Sequence, residues 1–347
     1  MPEPVLRPGP LKAPSPWRAL RALRPATPLR RARLLRPMRA MTGVLPLLLA
    51  LSACERSLEA QYREMGNLLV SVNAMRTDYD PEDAPVTRDM LVRDFETVAL
   101  HYEQGVDADG NQTTGAPIPL ERWNGFARVV LNFDDDADPA EVEETIRWTR
   151  NLTRRLTELT GLPITLSRRP AVSVRRGDIL VLFVNADSRR MLADLIDGSS
   201  DDTRGASRPG GLAADIRDTP PEEICFFFPL ADPDTHELDM VLMIMKSETH
   251  GLMRLACIHE EITQAMGLYN DDDDVRPSIF NDDEEFALLT RHDELLLRML
   301  YDPALRPGMT AQEIRPLLPA VADRALAADA ADPRRAAPDG PAGPDPS

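Results

Sequence analysis

The stretch of residues 257–271 constrains the fold of this chain more than any other part of its sequence. At about 100° per residue, a helix would place a stripe of mostly polar side chains beside a stripe of apolar ones. The first stripe consists of Cys257, Glu260, Glu261, Gln264 and Leu268, and the second of Ile258, Ile262 and Ala265. Gly267 is the natural end of this helix, since glycine readily adopts the left-handed conformation that follows a helix. Because buried acids are costly unless they are paired or hydrogen-bonded, the pattern predicts a polar functional site on a core-facing helix.

Two registers of a zinc-helix motif compete within this stretch. In the shorter one, His-Glu-x-x-Thr at 259–263 would be a zinc helix whose second histidine has become threonine. In the longer one, Glu-Glu-x-x-Gln-x-x-Gly-x-x-Asn-Asp at 260–271 resembles the pattern H-E-x-x-H-x-x-G-x-x-H-D of the metzincin metallopeptidases. We adopt the longer register, which keeps the general-base glutamate as Glu261, the turn glycine as Gly267 and the trailing acid as Asp271.

The metzincin resemblance implies that Glu260, Gln264 and Asn270 stand at the three metal-ligand positions. Metzincins hold zinc with three neutral imidazoles, whereas these side chains offer oxygens, and amide oxygens are weak zinc donors. We therefore expect no cofactor, with the amide groups of Gln264 and Asn270 donating to the Glu260 carboxylate in place of a metal. The alternative is a hard divalent cation, Ca²⁺ or Mg²⁺, because an all-oxygen set suits these ions. A zinc ion fits these positions less well than either the metal-free network or a hard divalent cation.

The metzincin resemblance continues downstream of the helix. The turn Ser-Ile-Phe at 278–280 stands where metzincins have the Met-turn, with Phe280 in place of methionine. Asp293 opens the next helical segment, which resembles the last helix of matrixin-type peptidases, and would cap that helix or support the cleft. The resemblance implies an α/β (α+β) fold with a zincin-like mixed, mostly parallel sheet packed on helices.

A closer resemblance covers roughly residues 95–309 and is most specific at 257–309. There, Cys-x-x-Glu-Glu-x-x-Gln-x-x-Gly-Leu-x-Asn-Asp, followed by Ser-Ile-Phe-Asn-Asp, is similar to the bacterial family named domain of unknown function 2927. That family has no established activity. The resemblance therefore implies a fold and leaves the function open.

The N-terminal segment has the pattern of an exported lipoprotein. A short apolar run at 44–51 follows basic residues, is too short to span a bilayer, and ends in Leu-Ser-Ala-Cys54, which resembles the bacterial lipobox. We predict that residues 1–53 are a signal or leader, with 1–37 an over-extended gene start or an unusual n-region, and that Cys54 is acylated. Glu55 after the cysteine favours the periplasmic face of the outer membrane, with the inner membrane as the alternative.

The net charge of −17 limits the partners of this chain. Removal of the basic leader would make the mature protein more acidic still, and such a protein repels nucleic acid and anionic membrane surfaces. Membrane contact would then come from the lipid anchor alone. We expect no nucleic acid, and the partner class that remains is a protein or peptide of the cell envelope.

Two cysteines remain after Cys54, namely Cys225 in a strand-like segment and Cys257 on the site helix. Export to an oxidising compartment and an even number of cysteines favour a disulfide between them. The alternative is two buried free thiols. A bridge would tie a strand to the site helix.

Periodicity and turn residues divide the chain into five parts. They are the leader at 1–53, a lipidated helical arm at 54–118, a degenerate zincin-like domain at 119–302, C-terminal helices at 303–328 and a disordered tail at 329–347. In the arm we predict helices at 56–76 and 88–102 and a loop at 105–119. In the domain we predict strands at 127–133, 163–167, 178–184, 224–228 and 238–245, helices at 139–160, 188–196 and from 248, and a long loop at 198–223.

Two functions from different classes fit this sequence. The first is a non-catalytic binding protein of the cell envelope, which holds a peptide by strand addition at the cleft beneath the edge strand 224–228. The second is a metal-dependent peptidase of the cell envelope with Glu261 as general base. The sequence contains no P-loop, Gly-x-Ser-x-Gly elbow or zinc-binding cysteine cluster, which would indicate other classes.

Overall fold

The structure, a computed structural model, describes residues 57–72, 74–106, 112–167, 175–197, 211–281 and 285–336. The predicted leader, the lipobox residue Cys54 and most of the predicted tail lie outside these ranges. Its strands are β1 (His101–Val106), β2 (Gln112–Pro117), β3 (Ala127–Phe133), β4 (Ile164–Ser167), β5 (Asp178–Val184), β6 (Cys225–Ala231) and β7 (Leu238–Lys246). Its helices are α1 (Leu58–Ser71), α2 (Arg88–Ala99), α3 (Pro139–Thr160), α4 (Ala186–Asp197), α5 (Gly211–Arg217), α6 (Gly251–Gln264), α7 (Arg291–Leu300), α8 (Ala311–Ile314) and α9 (Leu318–Ala330), with a 3₁₀ turn at Pro333–Ala336. None of these helices has the length and apolar character that crossing a membrane requires.

Five strands form one mixed sheet in the order β4-β3-β5-β7-β6, and β1 and β2 form a separate antiparallel hairpin. The pairs β3–β4, β3–β5 and β5–β7 are parallel, whereas β6 joins β7 antiparallel at one edge. Most residues of β5 are buried, as its continuous apolar sequence predicts for a central strand of a parallel sheet. These observations confirm the predicted α/β class and the mostly parallel sheet.

Different helices cover the two faces of this sheet. On one face, α4 and α5 pack on β6 and β7 in a small apolar cluster of Ala193, Ala213, Ile216, Phe228 and Ile244. On the other face, α3, α6 and α7 contribute to the larger core, which also contains Val181 of β5 and Met243 of β7. The predicted site helix α6 therefore lies between the sheet and the rest of the core.

Local sequence sets the ends of α3, which has the predicted bounds. Asp138 caps its start by accepting from the backbone N–H of Ala140 at 2.8 Å, and Pro139 takes the first helical position. Gly161 ends it with a φ of 69°.

The structure corrects three predicted segments. The helix expected at 88–102 ends at Ala99, and the chain then forms the β1–β2 hairpin where a loop was expected. Within the expected loop 198–223, α5 forms because its apolar side is buried against the sheet. Helical structure continues to Ala336, past the expected tail boundary at 329, because Asp329 and Asp332 accept hydrogen bonds from arginines of the folded domain. All three depend on tertiary contacts, which outweigh local propensity.

Candidate functional site

The predicted site helix is α6, and its polar stripe faces the core. Cys257, Glu261 and Gln264 are buried together with the apolar residues beside them. Beyond the C-cap at Ala265, the chain turns at Gly267 with a φ of 114°, which side chains strongly disfavour. A Cβ atom at this position would lie 2.2 Å from the carbonyl oxygen of Glu121. Both the backbone conformation and the close approach therefore require glycine here.

Gln264 has a different partner from the one predicted. Its Nε2 donates to Asp271 Oδ1 at 3.1 Å, whereas we expected it to donate to Glu260. Asn270 is buried nearby, and its backbone N–H donates to the carbonyl of Val98 at 3.1 Å. The chain reversal at Gly267 returns Asp271 to the helix, so this trailing acid takes the place that the prediction gave to the Glu260 carboxylate.

The general-base position, Glu261, lies in a closed part of the structure. Its side chain is only 4 % exposed. The cavity beside the neighbouring Glu260 has a volume of ≈ 20 Å³ and is lined by Met75, Ala256, Glu260, Ile279, Phe286 and Ala287. A cavity of this size holds about one water molecule. It therefore has no room for a substrate peptide.

The N-terminal arm closes this site. Arg76 forms a parallel bridge with Phe286: its N–H donates to the Glu285 carbonyl at 2.6 Å, and its own carbonyl accepts from Ala287 at 2.8 Å. Its guanidinium lies 4.9 Å from the centre of the Phe286 ring and 2.8 Å from the Glu285 carboxylate. The preceding residue, Met75, has a φ of 63° and is 7 % exposed against the cavity. The arm is thus part of the site wall, which the sequence did not indicate.

The turn in the Met-turn position is held by Asp293. The Ser278 hydroxyl donates to Asp293 Oδ1 at 2.5 Å, and the Ile279 N–H donates to Oδ2 at 3.2 Å. Oδ2 also accepts from the N–H and the hydroxyl of Thr290, at 2.8 and 2.9 Å, in a capping box that opens α7. Phe280 is fully buried. Asp293 therefore both caps α7 and fixes the turn.

A buried His–Asp pair joins α2 to α7. His292 Nε2 lies 3.0 Å from Asp94 Oδ2, and its Nδ1 lies 3.9 Å from Asp293 Oδ1. Burial disfavours the charged imidazole, but its interactions with Asp293 and Asp94 prevail and raise the pKa of His292 above its ordinary value. Both residues of the pair lie away from solvent, which indicates a structural role.

The predicted disulfide is confirmed and ties the edge strand to the site helix. Cys225, the first residue of β6, is bonded to Cys257 in the second turn of α6. Two residues along β6, the ring of Phe227 stacks on Tyr269 with the ring centres 5.8 Å apart. The edge strand is therefore held to the site helix by a covalent bond, and to the segment after that helix by an aromatic contact.

Replacing both Cys225 and Cys257 by serine should lower the free energy of unfolding by about 2–5 kcal/mol, because the bridge restricts the unfolded chain. Urea unfolding of the purified, oxidised protein measures this loss. Wild-type protein unfolded in the presence of a reductant is the control, and its stability should approach that of the double variant. Alkylation of both thiols in native protein without reductant would contradict the prediction.

Sequence analysis missed a buried acid beneath the same strand. Glu121 Oε2 accepts from the hydroxyls of Tyr102 at 2.9 Å and Tyr269 at 3.3 Å, and Oε1 lies 3.7 Å from His236 Nδ1. Burial raises the pKa of Glu121, and the two tyrosine hydrogen bonds oppose that rise. Tyr269 lies between Gly267 and Asn270 of the motif, so it was the one signal of this cluster in the sequence.

The side chains at the predicted metal-ligand positions are one carboxylate, Glu260, and two amides, Gln264 and Asn270. Among the residues with described positions, no group of three or more histidine, cysteine, aspartate or glutamate side chains converges as metal ligands would. The groups that a cation would need at the metzincin positions include the amides of Gln264 and Asn270, and Gln264 already donates to Asp271. In the described residues, the Gln264 amide is thus engaged in a hydrogen bond within the protein.

Comparison with known families gives a match over most of the domain. The family described as a protein of unknown function, DUF2927, matches residues 88–320, which is more than half of the chain. The chain belongs to the DUF2927 family. No curated protein and no solved structure matches it.

The DUF2927 match separates the domain from the arm that closes it. It starts at the first residue of α2 and includes the hairpin, the sheet, α6 and α7. Asp94 and His292 both lie inside it, as do both cysteines of the disulfide. Met75 and Arg76 precede it, while their partner Phe286 lies inside. Residues outside the matched DUF2927 region thus contribute one side of the cavity, through Met75, and residues inside it contribute the rest.

Proposed function

We propose that this protein is a lipid-anchored component of the periplasm whose degenerate metzincin-like domain binds a peptide or protein segment of the cell envelope without cleaving it. The observation that carries the proposal is the unpaired edge of β6, which lies beside a closed general-base position. Within the described residues, β6 pairs with β7 alone. Its other edge offers backbone groups to an extended partner.

The hydrogen-bond phase of β6 identifies the groups that would bind. The N–H of Lys246 donates to the carbonyl of Ile224 at 3.0 Å, so Phe226 and Phe228 also face β7. The backbone groups of Cys225 and Phe227 then point to the open edge. The backbone of Pro229 faces the same open edge, so the N–H that proline lacks is not one that β7 would need. An added strand would therefore bond to Cys225 and Phe227 and to the carbonyl of Pro229.

The closed site supports binding without hydrolysis. A peptidase needs its scissile bond next to both the general base and an activated water. Glu261 is buried, and the cavity of ≈ 20 Å³ beside Glu260 has no space for a peptide bond. A ligand on the outer edge of β6 would leave this cavity untouched.

The test is strand addition followed by amide hydrogen exchange. Heptapeptides selected from a random library on the purified protein are the probe. We expect a bound peptide to slow exchange at Cys225 and Phe227 by about tenfold or more, because their N–H groups gain acceptors, while Phe226 and Phe228 change little. The same peptides with N-methyl groups at alternate residues are the control and should bind more weakly. Bound peptides should be recovered intact.

Two results would overturn this proposal. One is protection of Cys225 and Phe227 that N-methylation of the peptide does not affect. The other is a purified protein that carries one zinc per chain and cleaves casein in a chelator-sensitive way, with the activity lost in Glu261→Gln. The second result would establish the peptidase instead.

The anchor rests on the sequence Leu-Ser-Ala-Cys54 after a short apolar run. We expect the mature chain to begin at an acylated Cys54 and to reside at the periplasmic face of the outer membrane. The intact mass of protein extracted from membranes tests this expectation, because it should equal the chain from residue 54 plus its acyl groups. A soluble chain that starts elsewhere and carries no lipid mass would contradict it. Cys54→Ser, which should release the protein from membranes, is the matched variant.

A further inference from the structure

A second polar cluster lies away from the site helix, at the carboxyl ends of two parallel strands. Val184 of β5 is in register with Lys246 of β7, and the chain leaves the sheet just after both. Arg189, in the first turn of α4, lies close enough to Lys246 for the two charges to interact. In open α/β sheets, ligands bind outside the carboxyl ends of the parallel strands. The position of this pair is therefore typical of a ligand site.

Both cations are buried, and neither forms an ion pair with another residue that the structure describes. Lys246 is fully buried, and Arg189 is 8 % exposed. Lys246 Nζ donates to the neutral carbonyl of Pro220 at 2.5 Å. The Nε and Nη1 atoms of Arg189 are buried without a hydrogen-bond acceptor. Buried guanidinium donors of this kind are costly unless an acceptor meets them.

The surroundings leave this charge uncompensated at contact distance. Glu222, Glu223 and Glu248 lie near enough to affect the lysine. Within the described residues, however, ion pairs within 4.0 Å involve other arginines and histidines, and neither Arg189 nor Lys246 takes part in one. Burial and the charge of Arg189 lower the pKa of Lys246 to about 8. An anion bound between the two would remove this repulsion.

Tyr62 and the segment that contains Pro220 and Pro221 cover the two cations. The Tyr62 hydroxyl of α1 donates to the carbonyl of Pro221 at 2.5 Å, next to the Pro220 carbonyl that Lys246 contacts. Tyr62 is buried, whereas Pro221 and Glu222 are exposed. The cations therefore lie beneath a thin cover, whose outer residues Pro221 and Glu222 are in contact with solvent.

We propose that Arg189 and Lys246 bind a small oxyanion, a carboxylate or phosphate group, beneath Tyr62 at the carboxyl ends of β5 and β7. Arg189 donates to it through Nε and Nη1, and Lys246 supplies the second positive charge. Glu248, which has a buried Oε2 without a hydrogen-bond partner, accepts a donor from the same ligand. An oxyanion that also carries an N–H or O–H group, such as hydrogen phosphate or the carboxyl end of a peptide, satisfies all three side chains.

The experiment is isothermal titration of the full mature chain at pH 7 with inorganic phosphate and, separately, with acetate and N-acetylalanine, at an ionic strength fixed with NaCl. Binding of phosphate alone would identify a phosphate site, and binding of the carboxylates would identify a carboxylate site. We expect Arg189→Gln to weaken binding by about tenfold or more, because a charge-assisted hydrogen bond is lost. The neighbouring Arg190, which is exposed and paired with Asp187, gives the control Arg190→Gln, with affinity unchanged.

Two further measurements keep the test decisive if Arg189→Gln fails to fold. Lys246→Met should also weaken binding, while it removes a buried charge without changing the side-chain length much. In wild-type protein, the ¹⁵Nε–H resonance of Arg189 should shift on titration with the anion that binds. If neither phosphate nor the carboxylates produce heat or a shift, or if Arg189→Gln binds as tightly as wild type, the proposal is wrong.

Discussion

Replacing Gly267 with alanine is expected to destabilise the protein by at least about 4 kcal/mol, a large fraction of the roughly 5–15 kcal/mol by which native proteins are stable. The new Cβ would lie 2.2 Å from the carbonyl oxygen of Glu121, and a backbone atom cannot move aside as a flexible side chain can. Alanine is also strained at a φ of 114°. Relief of the contact would require α6 and the segment that contains Glu121 to separate.

Gly125→Ala is the matched control for this prediction. Gly125 has a φ of 106°, close to that of Gly267, but a Cβ there would meet no atom within 4 Å. It should therefore cost only backbone strain, about 1–3 kcal/mol. Urea unfolding followed by tryptophan fluorescence measures both losses, if the Gly267 variant can be purified at all. Equal losses in the two variants would show that the close contact with Glu121 does not lower the free energy of unfolding beyond backbone strain.

Asp293→Ala is expected to lower the free energy of unfolding by about 3–5 kcal/mol, since it removes a buried, hydrogen-bonded charge. The variant leaves three donors without their acceptor: the Ser278 hydroxyl, the Ile279 N–H and the Thr290 N–H. The Thr290 hydroxyl retains the carbonyl of Pro277 as an acceptor, at 2.8 Å. The three donors are buried, so water cannot easily replace the carboxylate. The same urea experiment measures the loss.

A second capping box in the chain supplies the control. Glu313 accepts from the N–H and the hydroxyl of Thr310, both at 2.8 Å, at the start of α8. The motif is the same, but Glu313 is exposed and holds no second segment. Glu313→Ala should therefore cause a much smaller loss than Asp293→Ala. If both variants lose the same stability, Asp293 acts as a helix cap only, and its bonds to the turn at 278–280 contribute nothing.

The features that the sequence predicted are those set by short-range rules. The polar stripe, the turn glycine Gly267 and the helix α3 all depend on residues within a few positions of one another. The disulfide followed from the number of cysteines and the expected compartment. The mostly parallel sheet followed from apolar strands that alternate with helices.

The features that the sequence did not predict depend on distant partners. The hairpin β1–β2 forms where helical periodicity extended to residue 102, and its stability comes from cross-strand pairs. Glu121 carries no motif of its own, and its role appears only once Tyr102, Tyr269 and His236 surround it. Gln264 donates to Asp271 because of a chain reversal whose exact path the spacing alone does not give. In each case, a tertiary contact stabilises one of several conformations or partners that the local sequence allows equally.

The closure of the site by the arm has a consequence for the order in which the protein assembles. Hydrogen bonds join Arg76 to Glu285 across 209 positions and Tyr79 to Glu294 across 215. Because synthesis proceeds from the N-terminus at about 5–20 residues per second, the arm waits about ten seconds or more before its partners exist. Until then, Met75 lacks the partners that bury it in the folded protein. Contacts between the arm and residues 285–294 can therefore form only after most of the domain between them has been synthesised.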